Sequence, residues 1–271
     1  MPSSYRSWRS CGNECLVAAD AEQARIALCS EINLITDVKQ AFIGFCSEKN
    51  IMCHFGGTEV CKVKEISVQD FTCNKLNTCC FTGHRSRDLP FGGDMRKQGM
   101  KCLASSLQLL IVEAVADGYN TFISGMSDGI DLLCAQLVLE TARSGRYGDI
   151  RLVCALPYRE QYSEIVSTPD KYKYTVVIDG CDEKVIVSEK SDRERYKKRN
   201  QFMVDNSSRV IGVIKSKQFG SGTLQTVNMA KRAGLEIKMI SLEKNPQLYI
   251  DTDDARPLEK AAMLDTDSLP I

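Results

Sequence analysis

The amino-acid sequence predicts an α/β protein with a Rossmann-like, doubly wound and mostly parallel β-sheet, preceded by a small N-terminal α+β appendage. From residue 77 onward, short β-rich runs alternate with segments of helical periodicity, which is typical of parallel strands joined by crossover helices. Glycine-rich turns separate two of these strands from the helices that follow. The chain of 271 residues is 43% hydrophobic, enough to bury one substantial core and a smaller companion.

The predicted elements alternate strand and helix. Six strands are predicted, at residues 78–82, 121–124, 150–156, 184–187, 209–214 and 236–240. Between the first two, an apolar stripe from Met100 to Ala114 predicts an amphipathic helix that stops at Gly118. Further helices are predicted after Gly129 and over residues 170–178, 191–205 and 223–233.

Composition divides the chain into three expected regions. Residues 1–76 would form the small α+β appendage and residues 77–248 the Rossmann-like domain. Residues 249–271 carry six acidic residues against one Arg and one Lys, so we expect an acidic, mobile tail.

Charge and cysteine content narrow the classes of partner. Lys plus Arg and Asp plus Glu both total 35, so no global basic field would collect nucleic acid. With no secretory core near the amino terminus and no apolar run of membrane-spanning length, we expect a cytoplasmic protein without a membrane partner. Most of the 13 cysteines lie in apolar runs or beside them, which suits reduced thiols.

The first candidate segment, residues 82–85 (TGHR), ends the first predicted strand. Open α/β sheets bind ligands at this edge, where His84 would present a titratable imidazole and Arg85 a fixed cation. A solvated loop is the alternative interpretation.

The second candidate segment, residues 124–131 (SGMSDGID), ends the next strand and opens a helix. The unsatisfied N–H groups and the positive dipole end of such a helix favour phosphate. Ser127 or Asp128 is expected to be the N-cap, and Asp131 could accept a hydrogen bond from a ribose hydroxyl.

Two later segments complete the candidate site. Residues 219–223 (FGSGT) form a second glycine-rich turn before a helix, which would double the capacity to hold phosphate at the same sheet edge.

The basic run at residues 195–207 places Tyr196, Arg199 and Met203 near one another on a helix. Asp205 is expected close to the sheet edge, where it could orient Arg199 or a ligand hydroxyl. A solvated basic face is the alternative.

Metal binding is not expected. Cys11 and Cys15, or a group of Cys73, Cys79, Cys80 and His84, could be imagined as ligands, but their spacing matches no paired zinc motif. Adjacent cysteines of a strand also point to opposite faces. No cofactor is predicted either.

Taken in order, TGHR, SGMSDGID, KKRNQFMVDNS and GSGT resemble the SLOG superfamily, and in particular its YpsA-like branch with a CCFTGHR-type first strand. The resemblance covers about residues 77–242. It implies a Rossmann-like fold that binds nucleotides or nucleotide-derived ligands, often as a homodimer or higher homo-oligomer. It places these residues around the ligand: Gly83, His84, Arg85, Gly125, Asp131, Arg199, Asn200, Asp205, Gly222 and Thr223. The turn patterns add Ser124, Gly220 and Ser221.

One departure from the family bears on catalysis. The lonely-guy phosphoribohydrolases of this superfamily carry PGGxGTxxE, whose acidic residue supports cleavage of an N-glycosidic bond. Aligning GT on residues 222–223 leaves residues 224–226 (LQT) where that acid should stand. Asp131 and Asp205 are the remaining catalytic candidates, although an aspartate with a pKa of about 4 is a poor general acid at neutral pH. The resemblance therefore supports binding more firmly than catalysis.

Three functions compete. The leading one is a sensor, carrier or sequestering protein for a nucleotide-derived ligand, ADP-ribose-like or a signalling nucleotide, as is thought for superfamily members in bacterial and phage conflict. The second is an N-glycosidase or phosphoribohydrolase acting on nucleotides. The third is single-stranded DNA binding, as in the DprA branch, which zero net charge and a single tryptophan, Trp8, make a poor match.

Overall fold

Seven parallel strands form one sheet in the computed structural model, which describes residues 63–215, 221–250 and 262–264. The strands are β1 (Lys64–Ser67), β2 (Thr78–Thr82), β3 (Thr121–Ser124), β4 (Arg151–Leu156), β5 (Glu183–Ile186), β6 (Arg209–Ile214) and β7 (Glu236–Ser241). Their order across the sheet is β1-β5-β4-β3-β2-β6-β7. The predicted Rossmann-like α/β class is confirmed.

Five helices connect the strands. They are α1 (Gln98–Ala116), α2 (Ile130–Arg143), α3 (Thr168–Gly180), α4 (Arg195–Asp205) and α5 (Gly222–Arg232). The helix predicted from residue 191 begins only at Arg195, because the Asp192 carboxylate accepts a hydrogen bond from the Glu194 N–H at 2.8 Å and holds a turn. Local side-chain hydrogen bonding of this kind competes with helix formation.

The sheet begins at Lys64, ahead of the domain boundary expected at residue 77. β1 pairs with β5, and Ile66 lies opposite Val185. Three of the four residues of β1 are exposed, so this edge strand lacks the apolar pattern that marks the six predicted strands. Residues 1–62, which include most of the expected appendage, lie outside the described residues, as does most of the expected tail.

Helices cover both faces of the sheet. One core contains the inner sides of α1, α2 and α3, with Leu107 and Phe81 fully buried. The other contains α4 and α5, with Phe202 and Val210 buried. Adjacent Cys79 and Cys80 fall into different cores, as the alternation of strand side chains requires.

Helix α1 also meets the length and composition of a membrane span, with 19 residues and a mean hydropathy of 1.4. Half of it is buried inside the protein, where it packs on the sheet and on α2. Its apolar face therefore belongs to the core.

The strand order creates a switch point between β2 and β6. The chain runs outward from β2 through β3 and β4 to β5, and then returns to place β6 on the other side of β2. All seven strands are parallel, so their carboxyl ends share one edge, and the loops after β2 and β6 diverge there. Open α/β sheets form a crevice at such a point.

Candidate functional site

A cavity of about 310 Å³ lies at the switch point. Its walls come from the end of β2 and the loop after it, the start of α2, one face of α4 and the start of α5. The residues are Phe81, Thr82, Gly83, His84, Arg85, Arg87, Asp88, Ser127, Asp131, Tyr196, Arg199, Asn200, Met203, Ser221, Gly222, Thr223 and Thr226. Four separate segments of the chain thus meet around one space.

A buried ion pair forms part of the wall. Arg199 Nη1 lies 3.0 Å from Asp131 Oδ2, and each side chain is only 6% exposed. Arg199 Nη2 donates to Ser127 Oγ at 3.1 Å, whereas the buried Nε has no partner among the described residues. Burial raises the pKa of the Asp131 carboxyl, and the Arg199 guanidinium offsets only part of that rise.

Gly125 makes room for this ion pair. A Cβ built on Gly125 would lie 1.1 Å from Arg199 Nη1. Gly125 does not line the cavity, and neither does Ser124, whose hydroxyl donates to the Asp131 carbonyl at 2.9 Å. Both residues therefore act outside the cavity: Gly125 leaves space for the Arg199 side chain, and Ser124 holds the backbone of Asp131.

The loop after β2 carries a second, more accessible cation. Arg85 forms an ion pair with Asp128, and its side chain is 38% exposed. His84 Nε2 is buried and has no hydrogen-bond partner within the described residues. Burial lowers the pKa of His84, so the imidazole is neutral at pH 7. Arg85 and His84 thus offer one charged and one neutral group to the cavity, beside the Arg87–Asp88 ion pair of the same loop.

The amino end of α2 is occupied by the protein's own acceptors. The Ile130 N–H donates to the His84 carbonyl at 3.2 Å, and the Ser127 N–H donates to Asp131 Oδ2 at 3.4 Å. The N-cap is Gly129, with no side-chain cap. The expectation that Ser127 or Asp128 caps α2 is therefore wrong, because Asp128 pairs with Arg85 and Ser127 with Arg199.

Within the described residues, the amino end of α5 is open to the cavity instead. Ser221 is the N-cap, and its Oγ accepts from the Leu224 N–H at 3.1 Å. The N–H groups of Gly222 and Thr223 have no acceptor within the helix, since the first turn lacks preceding carbonyls. A Cβ on Gly222 would meet nothing within 4 Å. Gly220 lies outside the described residues.

Asp205 lies away from this cavity. It is the last residue of α4, which leads into β6 from the opposite end of the sheet, and it lines a separate cavity beside β1. Its carboxylate accepts from Gln201 Nε2 at 2.7 Å. The expected position at the ligand-binding edge is not found, because a helix antiparallel to the next strand ends at that strand's amino end.

The ligand contacts predicted from the sequence did not include eight of the lining residues: Phe81, Thr82, Arg87, Asp88, Ser127, Tyr196, Met203 and Thr226. Helical spacing placed Tyr196 and Met203 near Arg199 but did not by itself assign them to the ligand. Among the described residues, no group of three or more His, Cys, Asp or Glu side chains could hold a metal ion.

The fold and this cavity define a Rossmann-like α/β protein with a polar, cation-bearing crevice at the switch point of a parallel sheet. The family model described as the YspA SLOG family matches residues 79–245. The chain belongs to this SLOG family.

The chain is similar to curated bacterial proteins. It is 25% identical over 138 residues to a UPF0398 protein of Bacillus cereus (strain ATCC 14579), covering 50% of this chain and 73% of the relative. A UPF0398 protein of Bacillus thuringiensis (strain Al Hakam) matches to the same extent.

Solved structures of DNA processing protein A (DprA) are similar in fold alone. The Streptococcus pneumoniae protein matches with a TM-score of 0.41 and 17% identity, covering 61% of this chain and 50% of its own. The chain thus spans about half of that protein. The Helicobacter pylori protein, solved for its single-stranded DNA binding mode, matches with a TM-score of 0.40 and 14% identity, covering 61% of this chain and 65% of its own.

Proposed function

We propose that the protein binds a nucleotide or nucleotide-derived ligand, ADP-ribose-like or a signalling nucleotide, in the switch-point cavity, and serves as its sensor, carrier or sequestering protein. The observation that carries the proposal is the convergence of Arg85, the buried Arg199 and the open amino end of α5 on one space. Guanidinium groups and helix N-termini are both suited to phosphate. The volume of about 310 Å³ lies at the lower end of small-molecule sites.

The lining supports recognition of a polar ligand with a limited negative charge. Arg199 is balanced by Asp131, and Arg85 is paired with Asp128. The open amides of α5, the exposed part of Arg85 and the exposed Arg87 are therefore the groups left to meet a phosphate. A phosphate that reaches them replaces solvent contacts of Arg85 rather than breaking the buried pair.

An N-glycosidase is the second candidate, and the raised pKa of Asp131 favours it, since a general acid works best with a pKa near the operating pH. The carboxylate is nevertheless held by Arg199 and by the Ser127 N–H. These contacts stabilise the ionised form of Asp131. An ionised carboxylate can position Arg199 but cannot donate a proton to a leaving base.

Single-stranded DNA binding is the third candidate and receives less support from the charges of α4. Three of its cations are already ion-paired: Arg195 with Glu164, Lys197 with Glu194, and Lys198 with Asp192. A strand-binding groove needs a continuous positive path with stacking aromatics. The pairing neutralises the part of α4 that would provide it.

Calorimetric titration of the full chain with AMP, ADP-ribose, adenosine and an oligothymidylate tests the proposal. We expect binding of the two phosphate-bearing nucleotides and much weaker binding of adenosine. The proposal would be overturned if neither AMP nor ADP-ribose binds, or if the oligonucleotide alone binds. Chromatography of the same mixtures reports free base, whose release would make the protein an enzyme.

A further inference from the structure

We infer that α4 forms the subsite that reads the base of the bound nucleotide, with Asn200 as the hydrogen-bonding group and Tyr196 as the stacking surface. The inference rests on the proposed function and adds the orientation of the nucleotide within the cavity. The phosphate would lie toward the amino end of α5 and the base toward α4.

Asn200 presents its side-chain amide to the cavity, without a hydrogen-bond partner from the described residues. It is 7% exposed and lines the cavity. Within the described part of the chain, its amide makes no hydrogen bond, yet its oxygen and nitrogen are not among the fully buried unpaired atoms. These atoms keep access to solvent at the cavity wall, so a ligand that enters the cavity can replace water as their hydrogen-bond partner.

The chemistry of an amide narrows that partner. Asn carries both donors and an acceptor, whereas a phosphate offers acceptors only and would leave the Asn200 carbonyl unsatisfied. The edge of a nucleobase such as adenine presents a donor beside an acceptor, which an Asn side chain can meet with two bonds. The partner of Asn200 is therefore a base edge or, as the rival, a ribose hydroxyl.

Apolar surfaces flank Asn200 on the same face of α4. Tyr196 lies one helical turn before it and Met203 nearly one turn after it, and both line the cavity. The Tyr196 hydroxyl donates to Glu164, which fixes the ring from outside the cavity. A fixed aromatic ring and a thioether on either side of an amide form a surface suited to a flat heteroaromatic ring.

Titration of the full chain with AMP and with ribose 5-phosphate tests the inference, because ribose 5-phosphate keeps the sugar and phosphate but carries a hydroxyl where AMP carries the base. We expect the wild type to bind AMP at least about tenfold more tightly. Asn200→Leu and Tyr196→Ala should each weaken AMP binding about tenfold while leaving the affinity for ribose 5-phosphate unchanged. Tyr196→Phe retains the ring and should bind AMP as the wild type does.

Thermal melts separate recognition from folding. Asn200→Leu should melt close to the wild-type temperature, because the amide that it removes makes no hydrogen bond within the described residues and Leu keeps the branched heavy-atom shape of Asn. The matched control is Asn245→Leu, whose side chain is 1% exposed and donates to the Ser241 carbonyl at 2.7 Å. This control should lower the melting temperature and leave both affinities unchanged. If Asn200→Leu does not fold, Asn200→Ser and Tyr196→Ala are used to compare the affinities for AMP and ribose 5-phosphate.

Three results would overturn the inference. If Asn200→Leu lowers the affinities for AMP and for ribose 5-phosphate equally, Asn200 contacts the ribose. If the affinity for AMP is unchanged, Asn200 does not contact the ligand. Equal wild-type affinity for the two probes would leave the proposed function intact without a base subsite. Failure of the wild type to bind either probe would overturn the inference together with the proposed function.

Discussion

Arg199 reaches Asp131 across the backbone of Gly125, through space that any side chain at Gly125 would fill. The two charged groups lie 3.0 Å apart, and the position of a Gly125 Cβ lies 1.1 Å from Arg199 Nη1. This contact ties α4 on one face of the sheet to the start of α2 on the other. The switch-point cavity is built around it.

Gly125→Ala should displace Arg199 and leave Asp131 without its partner. We expect a loss of stability of about 3 kcal/mol or more, because breaking a buried ion pair leaves an uncompensated charge. Urea unfolding measures it. Gly222→Ala is the control, since a Cβ there would meet open space, and its midpoint should stay at the wild-type value. Equal midpoints for the two variants would contradict the role given to Gly125.

Arg199→Met should cost about 3–5 kcal/mol of unfolding free energy, because the Asp131 carboxylate would stay buried without a counter-ion. The double variant Asp131→Asn, Arg199→Met leaves no buried charge and should recover part of that loss. Urea unfolding of the two single variants and the double variant gives the coupling between the residues. Additive losses would show that the pair contributes no interaction of its own.

Arg85→Ala should weaken AMP binding without unfolding the protein. The side chain is 38% exposed, so screening reduces a charge-assisted contact to about 1.5 kcal/mol, roughly tenfold in affinity. The control is Arg96→Ala, which removes the same charge from a side chain that is 90% exposed and outside the cavity. Calorimetry on both variants compares them, and an unchanged affinity for Arg85→Ala would remove the TGHR loop from the site.

Gly222→Val should abolish AMP binding while the protein melts as the wild type does. Gly222 has no positive φ, and no heavy atom of the described residues lies within 4 Å of a Cβ built there, so we expect neither strain nor crowding to oppose a side chain. A phosphate bound at the amino end of α5 would meet that side chain. Gly234→Val is the opposite case, because Gly234 has a φ of 71° that Val adopts only with strain. That control should melt lower and keep its affinity. A depressed melt with retained binding in Gly222→Val would assign Gly222 to the turn alone.

Acidification should destabilise the protein through His84. Burial lowers the pKa of His84 in the folded state, with Asp88 opposing and Lys215 adding to the shift. As the pH falls below about 6.5, the unfolded chain takes up this proton first, so the free energy of unfolding decreases. His84→Gln has no imidazole to protonate, so its free energy of unfolding should decrease less between pH 7.5 and pH 5.5. Urea unfolding at both pH values measures the difference, and equal losses would contradict it.

Much of the architecture could be predicted from local patterns. The strands β2, β3 and β6 begin and end where the sequence places them, since each is a short apolar run next to turn residues. β1 escaped prediction because an exposed edge strand carries no such pattern. Its place in the sheet is decided by pairing with β5, which lies far away in the sequence.

The candidate site could be predicted in outline. Parallel strands place their carboxyl ends at one edge, so the glycine-rich turns at residues 124–131 and 219–223 were expected to converge at the edge that also carries residues 82–85. The pattern could not show which helix end stays open. The His84 carbonyl accepts from the Ile130 N–H, the first amide of α2, and this contact crosses between segments.

The sequence by itself determined the fold class, the alternation of strands and helices from residue 78 onward, and which loops share the binding edge, because hydrophobic periodicity and turn residues act over a few positions. Only the tertiary structure decided that Arg199 pairs with Asp131, that Gly125 exists to admit that pair, and that Asp205 lies elsewhere. The reason is physical: such contacts depend on how α4 crosses the sheet, and the direction of a side chain in space is set by packing between distant segments.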